Sequence, residues 1–374
     1  MHIFIDARGL ENKIDGIGQF TVQILLRLYL YPTDKFSVLI LDDLGLSLPS
    51  LPNVSYIRTT IRRFTLAEGM KIQSIVNSHQ PDLYFNMSPY IVGKITCPRY
   101  MMLYDLLATH FKGLFKGMGF YKEFLARKFF RFQTQRSIHS ANGIITISNY
   151  SKEKICTYYK LKTDFVRVVY GGVDISCESC ADQQKISVFK NKHTLADKFI
   201  LHVGNLKPYK NISNIITSFY SFTKQYPDSG IHLVFTGNKG RGFSEAMKQI
   251  DKYNLSSKIK MLGYLDNSEI PLLYQSSLGL FFPSLEEGQG LPVLEAMCCK
   301  TPVVTSRNTA TEEIAGGHAF LVDPKDLTSL FKGLEYLAFT EKNTGKIKEA
   351  YLHARNFTWD KTVKEIMEII LKQK

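Results

Sequence analysis

The chain has 374 residues, 44% of them hydrophobic, which is enough for two sizeable cores and too apolar for a disordered protein. Its formal charge is +13, with 24 Lys and Arg against 15 Asp and Glu in residues 1–190 and 23 against 19 in residues 191–374. No apolar run approaches a bilayer span, and six scattered cysteines exclude a disulfide scaffold.

A basic half suits nucleic acid or an anionic membrane surface. The chain has no helix-turn-helix, zinc finger or aromatic RNA-binding signature, so nucleic acid is not expected as a partner. An anionic membrane or an anionic lipid-linked substrate is the better fit. Cys177-x-x-Cys180 has no second pair at a suitable distance, so it reads as thiols and no metal is expected. The opening strand lacks a charged n-region and a cleavage site, which predicts a cytoplasmic protein, at the inner face of the membrane if the basic half binds lipid.

In chain order, short apolar runs at 3–5, 37–41, 83–85, 99–104, 143–147 and 166–169 predict strands. Helical patterns fall between them at 18–30, 66–79, 120–140 and 151–159. This alternation predicts a parallel, doubly wound α/β domain over residues 1–174. The polar stretch 175–198 breaks the pattern and reads as a linker. Alternation resumes over 199–357, with strands at 199–203, 232–236, 258–262, 278–282 and 302–305 and helices at 211–225, 243–253 and 292–299. A final helix is expected within 358–374.

Several motifs sit at predicted strand ends. Asp15-Gly16-Ile17-Gly18 follows the first strand and opens a helix, where Gly16 and Gly18 would let amides face an anion. Tyr104 and Asp105 close another strand; a tyrosine offers one hydrogen bond but titrates far from neutral pH. The segment Gly204-Asn205-Leu206-Lys207-Pro208-Tyr209-Lys210 places Lys210 at a helix start, where a bare cation is mildly unfavourable and an anionic ligand would compensate it. Residues 112–136 interleave seven cations with aromatics. Tyr121, Phe124, Leu125, Lys128, Phe129 and Phe132 recur at helical spacing, as in a basic amphipathic helix suited to a membrane interface or to packing against a core.

The most informative stretch runs from Ser284 to Met297. Glu287 and Glu295 lie eight residues apart across Gly288-Gln289-Gly290-Leu291-Pro292. Pro292 suits the first helical position, which predicts Glu295 in the first turn. Free amides for an anion would then be flanked by two acceptors for hydroxyls, the pairing that a sugar diphosphate needs.

This stretch resembles the E-x7-E segment of retaining glycosyltransferases of family 4, which have the GT-B architecture of two Rossmann-like domains. The resemblance extends to Val169-Tyr170-Gly171-Gly172-Val173-Asp174, to Gly263-Tyr264-Leu265 and to the segment after Ser306. It implies that Glu287 contacts the transferred sugar and that Glu295 contacts the ribose. Amides of Gly288, Gln289, Gly290 and Leu291 would face sugar and phosphate, Tyr264 would flank the base, and Lys210 would hold the diphosphate near Gly204. Where the family often has Arg, this chain has Asn205 and Tyr209, which leaves Lys207 as the candidate second cation. Where it often has His, this chain has Tyr104, with His110 six residues on. The implied activity is hexosyl transfer, with a lean to mannose, from a nucleotide sugar to a glycan or lipid-linked acceptor in bacterial polysaccharide or lipopolysaccharide synthesis, without a metal cofactor. The alternatives are a UDP-hexose transferase and a non-catalytic sugar-nucleotide-binding scaffold. The final helix would return to the N-terminal domain.

Overall fold

The structure, a computed structural model, describes all residues except 11–15, 64–67, 92, 111–119, 175–181, 238–239, 241, 267, 342 and 373–374. The described residues form two compact units. One comprises Met1–His110, Phe120–Gly172 and Trp359–Lys374; the other comprises Val173–Thr358.

The first unit is built on seven strands: β1 (His2–Asp6), β2 (Lys35–Leu41), β3 (Val54–Thr59), β4 (Leu83–Asn86), β5 (Arg99–Met102), β6 (Gly143–Thr146) and β7 (Val166–Val168). All pair in parallel, in the order β3-β2-β1-β4-β5-β6-β7. Six consecutive residues of β2 are buried, as expected for a strand covered on both faces. Phe4, Leu39, Tyr84, Met101 and Ile144 join one core. The edge strand β3 was not expected: its residues are mostly half-exposed, which leaves no apolar run to announce it. The expected strand at 99–104 stops at Met102, and Leu103 and Tyr104 continue buried.

The helix Trp359–Leu371 belongs to this unit and buries Trp359, Val363, Ile366, Met367 and Ile370 along one face. The Trp359 ring meets Phe20 edge-on at 5.2 Å, and Thr362 Oγ1 donates to the Tyr170 carbonyl at 2.7 Å. Burying each such large side chain contributes about 1.5–3 kcal/mol.

The second unit has six strands: β8 (Lys198–Val203), β9 (Ile231–Thr236), β10 (Ile259–Gly263), β11 (Leu280–Phe282), β12 (Val303–Ser306) and β13 (Phe320–Val322). They are parallel, in the order β10-β9-β8-β11-β12-β13. The stretch expected to be a linker instead carries a helix, Gln183–Lys192. Asp182 caps it by accepting from the amides of Gln184 and Lys185, and Ile186 and Phe189 are its buried side. Its polar outer face had masked two anchoring residues. The helices Ile212–Gln225, Phe243–Lys252 and Leu291–Cys298 fall where expected, and the unit also carries the helices Ile270–Ser276, Ala310–Ala315, Leu327–Phe339 and Thr344–Ala354. Leu330 and Leu334 enter its core beside Phe281 and Val304.

Each sheet reverses its strand order once, between β1 and β4 and between β8 and β11. Open parallel sheets form a crevice at the carboxyl ends of their strands at such a point. Among the described residues no helix is long and apolar enough to cross a membrane. Cys97, Cys156 and Cys298 are free thiols and Cys299 is disulfide-bonded; the Cys177-x-x-Cys180 motif lies outside the described residues.

Candidate active site

The reversal point of the second sheet gathers the charged residues of two motifs. Strand β8 ends at Val203, and Gly204 follows with φ +138°, a conformation side-chain-bearing residues rarely adopt. A Cβ at Gly204 would sit 3.2 Å from Lys210 Cε, so the glycine makes room for the lysine. A single 3-10 turn, Pro208–Lys210, precedes Asn211, whose Nδ2 donates to the carbonyls of Pro283 (3.0 Å) and Pro324 (2.6 Å). These bonds pin the Lys210 loop to the loop after β11. Lys210 is therefore not a solvated helix start: it is 8% exposed. Its ammonium lies 4.5 Å from the centre of the Phe282 ring and 2.7 Å from Glu287 Oε1. The distance defines an ion pair, but the approach angle does not make it a hydrogen bond.

Beneath this pair lies His202, fully buried and stacked on Phe282 at 5.7 Å. Burial drives its pKa down to about 3, so the ring is neutral. Its Nδ1 bonds the Phe281 carbonyl at 2.9 Å, which fixes the proton there and leaves Nε2 without a hydrogen-bond partner.

The Glu287 loop is held by its backbone. The Leu285 amide donates to the Tyr209 carbonyl at 2.7 Å, and Ser306 Oγ donates to the Ser284 carbonyl at 2.6 Å. Gly288, Gln289 and Gly290 are buried. Gly290 adopts φ +98°, and a Cβ there would meet Thr311 Cγ2 at 2.7 Å. The helix Leu291–Cys298 then begins with no side-chain cap. Neither the Gly290 nor the Leu291 amide has a partner among the described residues, which leaves N–H groups at the positive end of a helix.

Glu295 departs from expectation. Because the helix begins at Leu291, Pro292 takes its second position and Glu295 its fifth, beyond the first turn. Its carboxylate is placed by Tyr274, whose hydroxyl donates to Oε2 at 2.8 Å. Burial pushes the Glu295 carboxyl up, while the Tyr274 bond and the charge of Lys210 oppose that rise. Nothing in the sequence spacing linked Tyr274 to this site.

Asn205 and Lys207 are half-buried on the same loop as Lys210. The ammonium groups of Lys207 and Lys210 lie 6.0 and 5.6 Å from the centre of one ring, that of Tyr209. Tyr264 is 68% exposed just past β10.

The remaining expected residues belong to the first unit. Gly16 and Gly18 lie within the first turn of the helix Gly16–Leu26; Gly16 is exposed and Gly18 buried, and Asp15 lies outside the described residues. Tyr104 is 5% exposed, donates to the Met87 carbonyl at 3.2 Å and meets Phe20 edge-on at 5.5 Å. Asp105 Oδ1 accepts from the Leu107 amide at 2.9 Å. The His110 side chain, Lys112 and Lys116 lie outside the described residues.

The reversal point of the first sheet carries a network that sequence reading missed. Asp6 accepts from Arg8 Nε (2.9 Å), Arg8 Nη2 (2.7 Å) and the Tyr84 hydroxyl (2.9 Å). Arg8 Nη2 also lies 3.0 Å from Glu68 Oε1. Burial alone would raise the Asp6 carboxyl, but the charge and hydrogen bonds of Arg8 hold it below its ordinary value. Arg8 is raised in turn. Among the described residues no three His, Cys, Asp or Glu side chains cluster as metal ligands would.

These features match a known class. Residues 183–351 match the family model described as "Glycosyl transferases group 1". The fold of the whole chain is that of solved GT-B glycosyltransferases. It is similar to WaaG, a glycosyltransferase involved in lipopolysaccharide biosynthesis (TM-score 0.76, 13% identity, 99% of both chains covered). It is also similar to Anabaena Alr3699/HepE, solved with UDP and glucose (TM-score 0.73, 17% identity, 100% of both chains). Among curated proteins, the Escherichia coli O-antigen chain mannosyltransferase B is 25% identical over 236 residues, 60% of this chain and 59% of that protein. The serotype-specific mannosyltransferase WbdA of E. coli is 24% identical over 407 residues, 97% of this chain and 47% of WbdA. The chain thus spans about half to three-fifths of the length of the curated relatives it matches. Over residues 183–351 the chain is similar to the glycosyl transferases group 1 family, its fold is GT-B, and it resembles bacterial O-antigen mannosyltransferases.

Proposed function

We propose that this chain is a nucleotide-sugar-dependent, retaining glycosyltransferase that moves a hexose, with mannose as the leading candidate, onto a glycan or lipid-linked acceptor in bacterial surface-polysaccharide assembly. The observation that carries the reading is the Lys210–Glu287 pair at the β8/β11 reversal, beside uncapped helix amides and the Glu295 carboxylate. Lys210 and the Gly290 and Leu291 amides would meet the diphosphate, Glu287 the sugar hydroxyls and Glu295 the ribose. As the bond from C1 to the diphosphate oxygen breaks, that oxygen gains charge, which Lys210 and the amides stabilise without a metal. The acceptor hydroxyl attacks C1 from the same face, and its proton passes to the leaving phosphate oxygen. No protein base is needed, so Tyr104 can serve by packing.

A thermal-shift panel of UDP, GDP and ADP sugars tests the donor, because the right one raises the melting temperature by mass action. No shift with any of them would remove the donor site. NMR of the product anomer tests retention, and an inverted product would end the front-side scheme. Turnover is expected to survive EDTA.

The acceptor side of the proposal is a lipid surface. On the helix Phe120–Ser140, Tyr121 is 80%, Leu125 62% and Phe132 63% exposed, with Lys122, Lys128 and Arg131 exposed among them. The exposure of these side chains favours the interfacial alternative. Pelleting with liposomes should need anionic lipid and fade with salt. Equal pelleting with neutral lipid would point to a soluble acceptor.

A further inference from the structure

We infer that Tyr274 is a positioning residue: it takes up one oxygen of the Glu295 carboxylate so that the other is presented to the ribose of the donor. The inference rests on the reading of Glu295 given above.

Tyr274 is fully buried in the short helix Ile270–Ser276, and both of its ends are tied. Its carbonyl accepts from the Ser277 amide (3.2 Å), Ser277 Oγ (2.8 Å) and Thr301 Oγ1 (3.0 Å). Thr301 follows the helix that carries Glu295, and its amide donates to the Ala296 carbonyl at 2.9 Å. The Tyr274 hydroxyl donates to Glu295 Oε2 at 2.8 Å. One tyrosine therefore bridges two helices at two points, and its ring cannot rotate away without breaking a bond in the interior.

The carboxylate needs such a hold. Glu295 lies beyond the first helical turn, so the helix terminus does not fix its side chain, and no other hydrogen bond to the carboxylate exists among the described residues. Lys210, the nearby cation, is engaged by Glu287. Glu295 is half-buried rather than sealed, and Oε1 has no partner among the described residues. A ribose offers a pair of vicinal hydroxyls. A carboxylate with one oxygen fixed from inside and the other open can accept from them only along the direction the tyrosine sets. A carboxylate free to rotate would lose that selectivity, whereas packing of the base and diphosphate would be unchanged.

The test is calorimetry with UDP and GDP, each against its 2′,3′-dideoxy counterpart. Wild type should prefer the ribose form in the series it binds. Tyr274→Phe should reduce that preference by about tenfold, the scale of a hydrogen bond to a charged group, with affinity for the dideoxy form kept. A merely structural role would weaken both forms alike. Adding Tyr274→Phe to Glu295→Gln should cause no further loss of preference. Should Tyr274→Phe fail to fold, 3-fluorotyrosine at 274 keeps the shape and strengthens donation. It should lower the pH at which the ribose preference sets in, and an unmoved midpoint overturns the inference. Full ribose preference in Tyr274→Phe also overturns it. Equal binding of ribose and dideoxy forms by wild type would sink the reading of Glu295 itself, and the role of Tyr274 with it.

Discussion

The two sheets place buried charge at the same topological position and use it in opposite ways. At the β1/β4 reversal, Arg8 is closed in by Asp6 and Glu68, and Tyr84 and Asn86 continue the network to Ser88. At the β8/β11 reversal, Lys210 meets one carboxylate at a poor angle, and among the described residues neither Glu295 Oε1 nor the helix amides beside it have a hydrogen-bond partner. The first arrangement is satisfied by its own side chains and holds a fold together. The second leaves hydrogen-bonding groups unpaired among the described residues, which is what the proposed donor site requires. Charge at a strand end is thus no guide to function until the partners of each group are counted.

The sharpest break of this contrast is Arg8→Met. It strips the cation from two buried carboxylates, and removing one partner of a buried ion pair costs about 3–5 kcal/mol. Chemical denaturation should show a loss on that scale, and nucleotide binding by the second unit should be unchanged. A loss under about 1 kcal/mol would mean that the network is solvated, as a surface pair is.

Lys210→Ala should act through the ligand. Losing a charge-assisted bond to the diphosphate costs about 1.5–3 kcal/mol, roughly 10- to 150-fold in affinity, and turnover should fall with it. Unchanged diphosphate affinity would transfer the role to Lys207, whose ammonium faces the same Tyr209 ring. Glu287→Ala makes the complementary cut. It should remove most transfer while diphosphate binding is kept or tightened, because the ammonium loses its internal partner. Wild-type transfer in this variant would show that Glu287 does not touch the sugar.

The two sites were unequally legible. Glu287, Gly290 and Lys210 could be named because they lie in short segments whose glycines and proline restrict the backbone, so spacing carries the geometry. Tyr274 and the Arg8 network could not. Tyr274 reaches Glu295 across two elements, and Arg8 joins Asp6, Tyr84 and Glu68 from three separate segments. Only the parallel pairing of β1 with β4 brings Tyr84 beside Asp6. The strand and helix alternation was readable wherever burial on both faces produced apolar runs. It failed at the half-exposed β3 and at the polar-faced helix Gln183–Lys192. Glu295 falls outside the first turn because the helix starts one residue before Pro292, a start that Leu291 does not announce.

Titration separates the two sites by sign. Asp6 is held low by Arg8, so its contribution to stability is present above the ordinary carboxylate range and is lost as pH falls through its depressed value. Glu295 is raised by burial, so it favours the folded state while protonated, and that contribution is lost as pH rises through the raised value. Stability measured from neutral pH downwards should therefore decline with a component that Arg8→Met abolishes. Ribose preference should instead set in as pH rises above 4.5, the ordinary value for a glutamate carboxyl. Both properties decline with acid, but ribose preference should be lost above 4.5 and the Asp6 component of stability below 3.8, so a common midpoint would contradict the assignment of Asp6 to structure and Glu295 to ligand.

The smallest effect concerns what holds Lys210 when no ligand is present. Its ammonium rests 4.5 Å from the centre of Phe282, which is itself backed by the neutral ring of His202. Attraction between a cation and an aromatic face contributes about 0.5–2 kcal/mol. Phe282 is fully buried, so a leucine there would confuse lost attraction with lost packing. Mono-, di- and trifluorinated phenylalanine keep the shape and weaken the negative ring face in steps. Diphosphate affinity should change in the same steps, by a few-fold in total, with nucleoside affinity constant. The direction is informative. A fall shows that the ring aims the ammonium at the ligand. A rise shows that the ring competes with the ligand for it, which would make Phe282 and Glu287 joint restraints on a charge that the diphosphate must release.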